Sequence, residues 1–145
     1  PVHGPHAQLL HDALATLDIP SRVLASADEM LFEQVVKNLY ILTTNIAGLQ
    51  VGGDVATLWA QHRELARTVA DDVITLQEAL TGEEFDRSAL LDAMLQAFDN
   101  DPTHRCMGRS APARLQRALT RAAEYEVTLP CLAEIAAAQP TSDGA

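Results

Sequence analysis

Lysine is almost absent from this chain of 145 residues: Lys37 is the only one, beside nine arginines, against twenty Asp and Glu. The formal net charge is −10. Phosphate backbones are bound by clustered Lys and Arg, so nucleic acid is not expected as a partner. Aromatic residues make up only 4% of the chain, while Ala and Leu abound, a balance that favours helix over sheet. No apolar run approaches the roughly 18 residues that a membrane-spanning helix needs. The start, "PVHGPHAQLLHD", shows neither the basic nor the apolar region of a signal peptide, and a cytoplasmic protein is expected. Cys106 and Cys131 form no CxxC pair, so each is expected as a buried free thiol rather than a zinc ligand. His3, His6 and His11 lie near one end without a carboxylate or thiol set at ligand spacing, and no metal is expected. The chain holds no GxGxxG turn after a strand, no GxxxxGK[ST] loop and no GxSxG elbow.

What is present is helical periodicity. Leu9, Leu10, Ala13, Leu14 and Leu17 recur at helical spacing over residues 5–18, and Pro20 stops that helix. "RVLA" reads as a short strand or an extended connector. Ser26 or Asp28 caps a helix over about 28–47, apolar on most of its circumference and therefore expected to be the buried central helix. Gly48 suits its C-terminus, and Gly52-Gly53 a tight turn. One long helix or two shorter ones fill 55–81. Asp86 or Ser88 opens a helix to Phe98, Pro112 one to about Glu126, and Pro130 a last one to Ala138. The fold class is all-α, a multi-helix bundle around a buried central helix. Residues 1–26 read as a connector, 27–139 as the helical domain and 140–145 as a disordered tail.

The candidate site residues lie in two stretches. In "EQVVKNLYILTTNIAGL", an ammonium group stands among apolar residues and amides. Lys37 either pairs with Glu33 or snorkels to the surface, or it stands in a cleft where desolvation lets it give a proton to a developing alkoxide. Thr44 and Asn45 can join it in a polar stripe facing a ligand, or hydrogen-bond neighbouring backbone. In "THRCMGRS", His104, Arg109 and Ser110, with Arg105, can hold a carboxylate or phosphate; the alternative is a solvated loop whose arginines pair with Asp99 and Asp101.

The helix "FEQVVKNLYILTTNIAGL", followed by "VGGD", a long helix, a helix–loop–helix and "VTLP" before a last helix, resembles the C-terminal helical domain of the ketopantoate reductase family, within the 6-phosphogluconate dehydrogenase C-terminal-like class. The resemblance covers about residues 28–138, and residues 1–26 resemble the closing piece of a preceding dinucleotide-binding domain. It implies a helical substrate-binding and dimerisation domain of an NAD(P)-dependent reductase acting on a small 2-keto acid or related carbonyl. NADP or NAD would then sit on a Rossmann domain that these residues do not contain, none would be expected on this chain alone, and the assembly would be a homodimer. Lys37 would be the general acid at the substrate carbonyl and Asn45 would orient substrate. The family's middle asparagine falls on Ile41 here, and no acid stands near Ser110, so Arg109 and Ser110 suggest a different, more acidic ligand than ketopantoate. The competing reading is a non-enzymatic helical interaction and dimerisation module.

Overall fold

The computed structural model describes residues 1–140, and the expected tail beyond residue 140 lies outside them. Seven helices follow in order: α1 (Ala7–Ala15), α2 (Ala27–Val51), α3 (Val55–Gln61), α4 (Arg63–Thr81), α5 (Arg87–Asn100), α6 (Ala111–Glu124) and α7 (Pro130–Ala137). The all-α expectation holds. No strand forms among the described residues; "RVLA" contributes only an isolated parallel bridge, Val2 to Val23.

Local chemistry places the helix ends. Ser26 caps α2 by accepting from the Glu29 backbone N–H at 3.1 Å, while the Glu29 carboxylate accepts from Ala25 N–H at 2.9 Å, a reciprocal arrangement close to a capping box. Helix α2 continues past the sequence expectation to Val51, and Gly52, at φ 62°, takes the positive φ that ends it. Asp54 and Asp86 cap α3 and α5 through the backbone N–H groups of Thr57 and Ala89. The 55–81 segment divides at His62, whose φ −130° and ψ 36° lie outside the helical region.

At 25 residues α2 runs about 37 Å. It packs against α3, α4, α5, α6 and α7, which makes it the central helix. Leu39, Ile46 and Ala47 are buried in the core with Val73, Leu90, Met94, Leu115 and Leu132. Burial along α2 is uneven, however. Its second half, Thr43 to Gly48, is enclosed, while Gln34, Lys37 and Asn38 in the first half are exposed. The expectation of a helix buried all round is corrected there: apolar residues on every side do not bury a helix that has neighbours on only some of them.

Residues 1–26 differ from the rest. Helix α1 makes no substantial packing contact with another helix. Leu9, Leu10, Leu17, Ile19 and Val23 are exposed, Leu9 to 70%. Elsewhere among the described residues only Met107 and Tyr125 are large, apolar and comparably exposed.

Candidate functional site

Lys37 emerges from the outer half of α2 into solvent, on the edge of an open groove of about 470 Å³. Met30, Gln34 and Tyr40 from α2, with Ala97 from α5, form much of that groove. The helical pair with Glu33 does not form. Glu33 instead accepts from the Arg22 guanidinium, which ties the connector to α2. Lys37 has no carboxylate partner among the described residues, so its ammonium stands free at the groove.

One turn further, Tyr40 lies between this groove and the loop after α5. Its ring stands 5.3 Å from the His104 ring and 5.6 Å from the Phe98 ring. Burial, then the negative charges of Asp101 and Cys106, push its hydroxyl above the usual tyrosine value. Tyr40 therefore stays a protonated donor at neutral pH. No motif in the sequence marks Tyr40, although its place three residues after Lys37 sets the two on neighbouring parts of one helix face.

Thr44 and Asn45 turn inward. The Thr44 hydroxyl donates to the carbonyl oxygens of Tyr40 at 2.8 Å and Ile41 at 3.3 Å. The Asn45 side-chain amide donates to Ile41 O at 2.8 Å, and the residue is 9% exposed. Of the two readings of this stripe, the contacts match backbone bonding by the helix's own polar side chains. The structure does not bring Thr44 and Asn45 to the Lys37 groove.

The 101–110 loop lies over the C-terminal half of α2. Cys106 N–H donates to Gly53 O at 3.0 Å, and the N–H groups of Val55 and Ala56 donate to His104 O and Pro102 O. The closest crossing is at Gly48. A Cβ there would stand 2.5 Å from Cys106 O. Gly48 is thus required for close approach within the helix, not for the left-handed helix end that the sequence suggested. A Cβ on Gly108 would lie 3.4 Å from Asn45 Oδ1, so the loop also covers Asn45.

The loop's own polar residues are spread out. His104 pairs with Asp101 at 3.5 Å. Arg109 is exposed, and Ser110 accepts from Arg114 Nε at 3.0 Å. Neither Arg109 nor Ser110 lines the Lys37 groove; His104 reaches its neighbourhood only through Tyr40. The expected anion clamp of His104, Arg109 and Ser110 is therefore not assembled in this structure. Both thiols are buried and pushed up to about 11 by burial, with Asp54 adding to the effect on Cys106 and Asp72 on Cys131, so neither is a nucleophile at neutral pH.

No cluster of three or more metal-ligating side chains occurs among the described residues, and no helix there is long and apolar enough to cross a membrane. A search of known protein families, of curated proteins and of solved structures finds no match to this chain.

Proposed function

We propose that this chain is the helical substrate-binding and dimerisation domain of an NAD(P)-dependent reductase similar to 2-dehydropantoate 2-reductase, acting on a small 2-keto acid or related carbonyl. The observation that carries the reading is the position of Lys37, an ammonium with no carboxylate partner among the described residues, at the rim of a groove on the central helix. A general acid needs a proton it can release and a substrate within reach, and an arginine in its place holds its proton too firmly.

The described residues offer no cradle for a dinucleotide, because they contain neither a parallel sheet nor a glycine-rich strand-to-helix turn. The cofactor is therefore assigned to a further domain, where it would supply hydride to the carbonyl carbon. On this chain, Lys37 gives its proton to the carbonyl oxygen as negative charge develops there, leaving a 2-hydroxy acid and a neutral amine that water reprotonates. Tyr40, still protonated at neutral pH, is a second donor beside it. Substrate orientation by Asn45, Thr44 or the 104–110 loop would require the loop to lift from α2. The exposed leucines of α1 and the connector supply an apolar face for the cofactor-bearing domain to cover.

The test is the complete gene product that carries this chain, assayed for oxidation of NADH and NADPH with small 2-keto acids. Consumption of one cofactor is the expected result. Absence of an upstream dinucleotide-binding sequence, together with no consumption, overturns the reading. The same uncovered face supports a second reading, a helical module that binds a protein partner without catalysis; it predicts that Lys37 can be replaced without consequence.

A further inference from the structure

We infer that the cleft between α2, α4 and α6 is a binding site for a small amphipathic carboxylate. The inference is independent of the reductase reading. It starts from α6, where Arg114, Arg117 and Arg121 stand at i, i+3 and i+7 and so share one helix face. That face overlooks a cleft of about 250 Å³, below the range that holds drug-sized ligands. Three of the chain's nine arginines converge here, in a protein of net charge −10, and no acidic side chain among the described residues lines the cleft.

The arginines are not consumed by the fold. Arg117 makes no hydrogen bond or ion pair among the described residues. Arg114 spends only Nε, on Ser110. Arg121 pairs with Glu124 at 2.8 Å, an exposed contact within one helix that water and salt weaken. The opposite wall is apolar, formed by Ile41 and Leu42 of α2 and Leu76 and Leu80 of α4.

A second, independent feature points to an occupant. Gln77 lines the cleft and is only 5% exposed. Its Oε1 accepts from Asn38 Nδ2 at 3.2 Å, but its Nε2 donates to no protein group among the described residues. That nitrogen is not sealed from solvent, so the fold leaves it free to donate to an acceptor in the cleft. A carboxylate matches the planar donor fork of arginine and the amide of Gln77 together, and its hydrocarbon part covers the leucines. An inorganic anion would leave that apolar wall bare.

The probe is hexanoate, titrated into the isotopically labelled chain while the Gln77 side-chain amide and the arginine Nε–H signals are followed by NMR. Saturable shifts at Gln77 and Arg117 are expected. Affinity should fall about tenfold or more in Arg117→Gln and in Gln77→Leu, as loss of a charge-assisted or buried hydrogen bond implies. Hexan-1-ol should give no saturable shift, and inorganic phosphate should bind more weakly than hexanoate. Arg117 is exposed, so its variant remains informative even if Gln77→Leu fails to fold. Unsaturable shifts, equal binding of hexan-1-ol or of phosphate, or affinity unchanged in Arg117→Gln would each overturn the proposal. The assay needs neither cofactor nor turnover, so its failure is separate from failure of the reductase reading.

Discussion

Thr43 is fully buried in α2, and its hydroxyl has no hydrogen-bond partner among the described residues. Valine has nearly the same shape without the hydroxyl. Thr43→Val is expected to stabilise the fold by about 1 kcal/mol, read from denaturant unfolding, because it removes an unsatisfied polar group. No gain, or a loss, would mean that the hydroxyl is served. Asp72 of α4 presents the opposite case, a buried carboxylate with partners. Its Oδ2 accepts from Leu132 N–H at 3.0 Å and so helps to cap α7, whose own N-terminus has no side-chain cap. Burial nevertheless pushes its carboxyl above the usual value of 3.8, outweighing the backbone amides of Leu132 and Cys131. The folded chain therefore holds this proton to higher pH than the unfolded chain. Its contribution to stability is full below 3.8 and declines as pH rises through the folded value. Asp54 has the reverse sign: the Thr57 amide lowers its pKa, so its contribution is present above 3.8 and is lost as pH falls through the folded value. Asp72→Asn keeps an acceptor for Leu132 and removes the charge. Its melting temperature relative to the parent should rise from acid to neutral pH; a difference independent of pH would refute this assignment.

At the scale of elements, the contact between α2 and the 101–110 loop is the tightest geometric demand. Gly48→Ala places a methyl group against the Cys106 carbonyl, where backbone rather than a flexible side chain must yield. A loss of about 1–3 kcal/mol is expected, from overpacking, and chemical denaturation measures it. The helices were legible in the sequence because their caps and periodicity are local: Ser26, Asp86 and Pro112 each act within a turn of their own position. The role of Gly48 was not legible, since a glycine near a helix end has the same local signature as one that admits a loop from 58 residues away. The same limit applies to Thr44 and Asn45. Their polarity in a buried helix was visible, but the choice between ligand and backbone carbonyl depends on what covers the helix. The arginines of α6 form a series within one helix, whereas Gln77, on another helix, is brought to them only by the packing of α2, α4 and α6.

At the scale of the whole molecule, burial is divided. Residues 27–138 enclose a continuous core around α2, whereas residues 1–26, tied to each other by the Val2–Val23 bridge, attach through the Arg22–Glu33 ion pair, bury Leu24 and leave Leu9, Leu10 and Leu17 uncovered. The all-α class and the central helix followed from composition and periodicity. The site did not, because a lone lysine in an apolar stretch fits a cleft, a surface pair or a snorkelling stem equally well until its neighbours are placed. The structure removes the pair with Glu33 and leaves the ammonium exposed to solvent at the edge of an open groove, as a stem that reaches the surface would, without the desolvation of an enclosed cleft. The most direct measurement of what that placement does is turnover of Lys37→Met in the complete gene product, with wild type measured alongside. A fall of about 10²–10⁴ in kcat is expected, the range for loss of a positioned acid, with the melting temperature nearly unchanged because the side chain is exposed. Turnover equal to wild type would contradict the account.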